Sequence, residues 1–336
     1  MAYCYDQIMK IAALITTKNR TELLRTRSLP SVLSQTHKPD LVVIVDDSDP
    51  NHIESNKAVL QSLEHDGLEV KHITQENKSG YAAAVNAGLK YIDEQLGSED
   101  IWVAILDDDD EWLEHHLQAC ARLANTNTDA VISGIQTILD GKALPQSILE
   151  EVEMKKFLSG NPGWEGSNTF CKLSRLLEVG GLREDLICTH DRDLAIRLLN
   201  LESFTVITAG NVSVKHYIER DRSQLTTSSN KKPGLQNFYS HHNWRMNAQD
   251  RSAFFERANK LFNCSEQDFA RPPFTLSQQQ EELTLSFNSK HIFEAKYVIG
   301  VAVRNPKVKF RACLESFFKQ TNSKDFCLLI LDCVFH

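Results

Sequence analysis

Four consecutive aspartates, Asp107 to Asp110, follow the apolar run 101–106 and are closed by Glu111 and Trp112. Carboxylates this close repel one another and lose hydration if buried, so the cluster persists only where water or a cation neutralises it. One reading is a solvated turn, since aspartate is common in turns and at helix caps. The other is a site for a hard divalent cation, because Mg2+ and Mn2+ take oxygen ligands and are usually held by one or two carboxylates plus substrate phosphates. Two more polar clusters stand in the same relation to apolar runs. Thr16 to Arg20 closes the run that begins at Lys10, and Asp46-Asp47-Ser48 closes the run that begins at Leu41.

The elements between these clusters alternate. KIAALITT (10–17), LVVIVDD (41–47), LEVKHIT (68–74) and IWVAILDD (101–108) read as strands, the first two and the last buried on both faces. Helical spacing separates them: Leu23, Leu24, Leu29, Val32 and Leu33 before the second strand, with Pro30 expected to interrupt the helix, then 51–67 and 80–95. Such alternation predicts an α/β fold with a doubly wound, mostly parallel sheet and helices on both faces. Ligands of these sheets bind beyond the carboxyl ends of the strands, so the three polar clusters should converge on one crevice.

Bulk composition sets limits. The 336 residues are 41% hydrophobic and 24% charged, ordinary globular values that allow one large domain or two smaller ones. A net charge of -8 argues against nonspecific nucleic-acid binding, which needs a basic surface. Eight scattered cysteines without a C-x-x-C pair read as reduced core residues, and the chain carries neither a leader-like N-terminus nor an apolar run of membrane-spanning length. The expectation is a soluble, cytoplasmic protein. No G-x-G-x-x-G follows the first strand and no G-x-x-x-x-G-K-[ST] occurs, which disfavours a dinucleotide fold and a P-loop.

Beyond residue 150 the periodicity weakens. GNPGWEGS (160–167) has glycines but no lysine, and a flexible loop is as good a reading as any phosphate role. A helix is expected from Lys172, a turn at Gly180-Gly181, and a second helix with Leu194, Ile196, Leu198 and Leu199 inward and His190, Asp191 and Asp193 in its first turn, where acids also complement the helix dipole. A strand or two and a polar loop that could act as a lid follow. The paired His241 and His242 read as surface residues.

An internal repeat emerges near the C-terminus. YVIGVAVRNPKVKFRACLESFFKQTNSKDFCLLILDC parallels the N-terminal strand-helix-strand: Asn305 matches Asn19, Gln320-Thr321 matches Gln35-Thr36 and Asp332 matches Asp46. The organisation expected is a domain over 1–264, a linker over 265–295, and at 296–336 the incomplete start of a second, related module whose remainder is absent from this chain.

Taken in order, these motifs resemble the family-two glycosyltransferases of the GT-A fold, over roughly residues 9–222. The family's Pro-Thr-Tyr-Asn-Arg opening corresponds to Thr16-Thr17-Lys18-Asn19-Arg20, and its Val-Asp-Asp-Gly-Ser to Val45-Asp46-Asp47-Ser48. Its Asn-x-Gly segment and Ala-Arg-Asn helix correspond to Asn77 to Gly80 and Ala84-Val85-Asn86, with Val85 where the family has arginine. The aspartate run matches Asp-x-Asp-Asp followed by an aromatic, Gly180-Gly181-Leu182-Arg183-Glu184 the Gly-Gly-Phe-Asp-Glu turn, and His190-Asp191 the Glu-Asp pair.

The resemblance implies a Rossmann-like, mostly parallel sheet flanked by helices. It implies a nucleotide-sugar donor, probed by Thr17, Arg20, Lys78, Gly80 and Asn86, with Asp46 on the nucleobase and Asp107 and Asp108 near ribose and metal. It assigns Asp109 and His216 to Mn2+ or Mg2+, and Asp191 to the catalytic base. The expected activity is metal-dependent, inverting transfer, with a UDP-sugar as donor and a glycan or glycoconjugate as acceptor in polysaccharide assembly, at most peripherally on a membrane. The rivals are a haloacid-dehalogenase-like phosphohydrolase, whose nucleophile also follows a strand in an Asp-x-Asp motif, and an inactive sugar-nucleotide-binding module.

Overall fold

Apolar runs with no polar alternation need cover on both faces, and the sheet supplies it. A computed structural model describes residues 9–63, 67–75, 80–97, 100–219 and 230–269, and the backbone of two strands at 297–303 and 326–332. In β1 (Lys10–Thr17) and β2 (Leu41–Asp46), Ala12, Leu14, Val43 and Val45 enter one core while Ile11, Ala13, Ile15, Val42 and Ile44 enter the other. The first core is closed by α4 (Tyr81–Leu96) and by helices of the second half; the other is closed by Leu24, which follows the short α1 (Thr21–Leu23), and by α2 (Leu29–Leu33), α3 (Pro50–Ser62) and α5 (His116–Leu123). α4 lies so close to β1 that a Cβ at Gly88 would stand 2.3 Å from a Leu14 methyl, so any side chain there would force Leu14 to move.

The interruption expected at Pro30 takes the form of a π-turn. Residues Leu24–Ser28 wind with wider spacing, the Leu29 N–H reaching the Leu24 carbonyl, and Pro30 then stands in the first turn of α2, directly after this irregularity.

The sheet has the order β3-β2-β1-β4-β8-β6-β9-β5, where β3 is Val70–Thr74, β4 Ile101–Asp107, β5 Glu111–Trp112, β6 Ala130–Leu139, β8 Thr169–Lys172 and β9 Val206–Ile218. The short β7 (Lys142–Ala143) pairs with β6 off this path. β3, β2, β1 and β4 run parallel, as the alternation predicts; β8 joins β4 and β6 antiparallel, and β9 lies parallel to β6 through a bulge between Ile132 and Ile135. The carboxyl ends of β1, β2 and β4 are in register: Thr17 lies opposite Asp46, and Thr16 opposite Asp107.

Around the second half pack α6 (Met154–Ser159), α7 (Leu173–Glu178), α8 (His190–Leu199), α9 (Lys231–His242) and α10 (Ala248–Phe262). The histidines expected at the surface differ: His242 is buried, its Nε2 2.9 Å from Asp193 Oδ1, because α9 lays that face on α8. Residues 265–269, assigned to the linker by sequence, fold back as a short helical turn whose Phe269 ring sits 5.2 Å from Phe254 and 5.6 Å from Tyr239. Cys120, Cys171, Cys188 and Cys264 are buried free thiols. No helix among the described residues is long and apolar enough to cross a membrane.

The chain divides into two units, Met1–Ala270 and Arg271–His336. In the second, β10 (Tyr297–Val303) and β11 (Phe326–Asp332) pair in parallel, Val303 opposite Asp332. This is the register of Thr17 opposite Asp46 carried onto the residues matched by the sequence repeat.

Candidate active site

The four aspartates divide at a tight turn after β4. The Asp110 N–H donates to the Asp107 carbonyl at 3.1 Å, which returns Asp110 to the side of Asp107 and sends Asp108 the other way. Asp108 thereby faces the end of β1, accepting from Thr17 Oγ1 at 2.8 Å, Arg20 Nη1 at 2.9 Å and the Lys18 N–H at 3.4 Å. Arg20 also reaches Asp109 Oδ2 at 3.1 Å. Asp107, Asp109 and Asp110 remain as a set, each offering a ligand oxygen within 4.8 Å of the others.

This set is held by the segment 160–167, for which the sequence is as consistent with a flexible loop as with a phosphate role. Residues 160–167 are ordered by their own side chains: the Asn161 amide receives the Gly163 and Trp164 N–H groups, and Trp164 is buried with its indole N–H on Thr169 Oγ1 at 2.8 Å. The Ser167 hydroxyl accepts from the Asp107 N–H at 3.2 Å and donates to Asp110 Oδ2 at 2.6 Å, while its carbonyl receives the Trp112 indole N–H at 2.7 Å. Gly166 leaves the space: a Cβ there would lie 2.7 Å from the Tyr81 hydroxyl and 3.5 Å from both Asp107 carboxylate oxygens.

Donor-poor burial governs the electrostatics. Burial, and then the charges of Asp110, Asp109, Asp191 and Asp108, push the Asp107 carboxyl well above the usual carboxylate range. Among the described residues no donor reaches the buried Asp107 Oδ1. Three carboxylates around an oxygen without a partner fit a hard divalent cation, which would reverse the local balance by favouring the charged forms.

His216, expected as a fourth ligand, stands behind Asp110 with Nδ1 3.1 Å from both of its oxygens, outside the set of three. Burial opposes its protonation, but the charge and hydrogen bond of Asp110 raise it to about 10, so in this arrangement it is a cationic partner of Asp110. A metal-bound imidazole must be neutral, which this pairing disfavours.

Across the crevice, Asp191 sits in the first turn of α8 behind Thr189, whose φ of 67° turns the chain into the helix. Its carboxyl shares a side-chain hydrogen bond with Glu165, and Tyr81, hydrogen-bonded to Asp107, lies close enough to feel both Asp107 and Asp191. Burial raises Asp191, with His190 and Glu165 opposing; burial and the charge of Asp191 raise Glu165 to about 8, with His216 opposing.

The other sequence-named residues take different places. Asp46 is fully buried and closed off by the Ser48 N–H at 3.0 Å, Asn56 Nδ2 at 2.8 Å and His72 Nε2 at 2.9 Å. Its neighbour Asp47 takes Lys18 Nζ at 2.6 Å on one oxygen, and the other, buried, meets no donor among the described residues. Asn86 clamps the Gly180-Gly181 turn, donating to the Leu182 carbonyl at 2.9 Å and accepting the Leu182 N–H at 2.8 Å. Gly80 precedes α4 at φ 85°, open only to glycine at low cost, and Val85 fills the core. Lys78 and the lid segment 220–229 lie outside the described residues. Glu165, Ser167 and Tyr81 were not singled out by sequence; the Gly-Ser that follows Glu165 was the available signal.

Residues 12–173 match the family described as Glycosyl transferase family 2. The uncharacterized glycosyltransferase alr2836 of Nostoc sp. (strain PCC 7120) is 33% identical over 133 residues, 40% of this chain and 38% of its own length. A Campylobacter jejuni protein, GalNAc(5)-diNAcBac-PP-undecaprenol beta-1,3-glucosyltransferase, is 29% identical over 206 residues, 59% of this chain and 62% of that one. The chain thus spans less than two thirds of either relative's length. Among solved structures, S. aureus TarS 1-349 in complex with UDP-GlcNAc superposes with a TM-score of 0.55 at 17% identity, covering 77% of this chain and 74% of that one. A second, TarS 1-349 alone, gives 0.53 at 17% identity over 82% and 78%. At such identity the likeness speaks for the fold, and the family match leaves the phosphohydrolase rival without support. Sheet order, the acidic cluster at the strand ends and the sequence match agree that residues 12–173 carry the glycosyltransferase family 2 pattern on a GT-A fold.

Proposed function

We propose that residues 1–264 form a metal-dependent, inverting glycosyltransferase that moves a sugar from a nucleoside diphosphate donor, a UDP-sugar, to a hydroxyl of a glycan or glycoconjugate. One observation carries the reading: three carboxylates with an unpartnered buried oxygen, Asp107, Asp109 and Asp110, share a crevice with a separate acid, Asp191, at a helix start. UDP is the nucleotide named with the TarS structure, and the Campylobacter relative's name makes a lipid-diphosphate-linked glycan an acceptor class to try.

Asp107, Asp109 and Asp110 would hold Mn2+ or Mg2+, which when bound supplies Lewis-acid stabilisation of the departing diphosphate. Arg20, anchored on Asp108 and Asp109, adds a cation at the crevice mouth. Asp108 orients it, and Thr17 orients Asp108. For the nucleobase, the open oxygen of Asp47 replaces Asp46, whose acceptors are already occupied. Asp191 accepts the proton of the acceptor hydroxyl as that oxygen attacks the anomeric carbon opposite the leaving group, which inverts the centre. By the same reading Lys78 is a donor-phosphate contact, and residues 296–336 begin a second module of the same design, the shared strand register being the support.

Thermal-shift measurements with UDP- and GDP-sugars, each with and without Mn2+, test the reading. A UDP-sugar should raise the melting temperature only when Mn2+ is present, since a ligand bound at about 100 times its Kd adds about 2.7 kcal/mol. Equal shifts without metal would remove the metal from the proposal, and no shift with any nucleotide-sugar would remove the donor.

A further inference from the structure

The π-turn carries two arginines that are used in different ways. Arg25 is exposed and pairs with Glu22 three residues back, its Nε 3.0 Å from Glu22 Oε2. Arg27, two residues on, turns inward and reaches parts of the chain 82 and 192 residues away.

There one guanidinium joins three elements. Its Nη1 donates to the Asp109 carbonyl at 3.2 Å, and its Nη2 pairs with the Glu219 carboxylate just past β9. Its Cζ stands over the Tyr217 ring, 4.0 Å from the centroid. Tyr217 in turn holds another acid of the aspartate run, since its N–H donates to Asp110 Oδ1 at 3.1 Å. The ring beneath Arg27 is itself fixed: the Tyr217 hydroxyl donates to Glu111 Oε2 at 2.8 Å, and Lys215 Nζ lies 2.8 Å from Glu111 Oε1. Ser167 secures Asp107 and Asp110, and Arg20 secures the Asp109 carboxylate, so Arg27 adds the hold on the Asp109 main chain.

Charge alone gives no reason for Arg27 to stand here, because a cation beside three acids opposes the approach of a divalent ion. Its geometry does give one. A planar fork can donate to a carbonyl and a carboxylate at once while its face covers a ring, which a lysine ammonium cannot do. Contacts behind metal ligands orient them and tune affinity. Resting on the reading of Asp107, Asp109 and Asp110 as the cation site, we propose that Arg27 is a positioning residue of that site. It fixes the main chain of Asp109 and, through Tyr217, the carboxylate of Asp110, so the ligand oxygens are arranged before the ion arrives. The wide turn that precedes Pro30 thereby serves the acidic turn after β4, to which nothing in the local sequence connects it.

The test titrates Mn2+ alone into the full chain and into Arg27→Gln and Arg27→Lys. Free Mn2+ is read from its electron paramagnetic resonance signal, and the melting temperature of each metal-free protein is recorded beside it. Arg27→Gln should weaken Mn2+ binding about 10- to 100-fold, the loss usual for a partner of a metal ligand, and Arg27→Lys, at unchanged charge, about threefold or more. The direction is diagnostic, since glutamine removes a cation and by charge alone would tighten the ion. The inference is overturned if Arg27→Gln binds Mn2+ as tightly as wild type or more tightly. It is also overturned if the variants lose melting temperature while their Mn2+ affinity is unchanged, which would leave Arg27 an ordinary ion pair of the fold. Should the glutamine variant fail to fold, the lysine variant decides, because wild-type affinity at the same charge would leave the planar fork no part in the site. If the wild-type chain takes up no Mn2+, the cation-site reading itself fails, and the two failures are told apart.

Discussion

Asp191 and Asp193 stand in the same turn of α8, and they belong to regions that treat carboxylates in opposite ways. Asp193 faces the frame beneath the helix, where Arg197 at 2.7 Å, Arg183 at 3.1 Å and His242 at 2.9 Å surround a fully buried group. Burial alone would raise it, but these partners win and hold it below the usual carboxylate range. Asp46 and Asp129 follow the same pattern, lowered against the effect of burial, Asp46 by His72, Ser48 and Asn56, and Asp129 by the Thr205 N–H, Arg175 and Lys172. Asp191 faces the crevice, where the neighbouring acids Glu165 and Asp107 are raised as it is. Burial is common to both groups. What separates them is the supply of donors, and a region that buries acids without donors is arranged for a cation or a proton that the chain itself does not provide.

The largest expected effect lies in the crevice. Asp191→Asn should lower kcat about 10²- to 10⁴-fold, the usual contribution of a general base, while nucleotide-sugar binding by calorimetry stays within about twofold of wild type. Wild-type turnover in this variant would put Asp191 among the structural acids and break the contrast at its clearest point. The matching frame substitution should act on stability instead. Asp193→Ala strands Arg197 and Arg183 beside a buried histidine, and breaking a buried ion pair from one side costs about 3–5 kcal/mol, readable as a shift in the urea midpoint. If Asp193→Ala is as stable as wild type, its ion pairs contribute nothing net.

How far the sequence discloses this contrast depends on chain geometry. The parallel half was legible because its strands are unbroken apolar runs, each ending in polar residues, and a parallel sheet must bring those ends together. Which aspartate faces which way was not, because the turn closed by the Asp110 N–H on the Asp107 carbonyl reverses the side chains within four residues of identical type. Asp46 and Asp47 posed the same problem: strand alternation separates them, but only His72 and Asn56, brought in by β3 and α3, decide that Asp46 is the closed one. The mixed half was harder still. β8 is four residues long and β9 crosses a bulge, so the sequence indicates strands there but not their pairing, and the approach of Glu165 to Asp191 arises through tertiary contact alone. His242 differs for a related reason: besides Phe238 of its own helix, it is closed off by Asp193 of α8, which its own helix does not reveal.

The smallest expected effect separates the regions by the sign of their response to pH. Frame acids whose folded pKa lies below the unfolded value stabilise the protein above that value and lose their contribution as pH falls, so Asp46, Asp129 and Asp193 contribute fully at neutral pH and make stability pH-dependent only below about 3.8. Crevice acids behave in reverse. Glu165 moves from 4.5 unfolded to about 8 folded, so across that range the folded protein holds a proton the unfolded chain has released, and stability falls as pH rises. His216, moved from 6.5 to about 10, loses its stabilising effect in the same direction over the upper part of the interval. Metal-free protein should therefore melt at a lower temperature at pH 8 than at pH 5, and Mn2+ should reduce the difference by favouring the ionised carboxylates. Asp107→Asn, which removes one repelling charge and keeps the side chain's size, should raise the stability of the metal-free protein at pH 8 by about 0.5–2 kcal/mol while abolishing the Mn2+ response, the trade expected where function requires a destabilised group. An Asp107→Asn variant less stable than wild type at that pH would mean that the crevice finds its donors within the chain, as the frame does, and the distinction between the two regions would be lost.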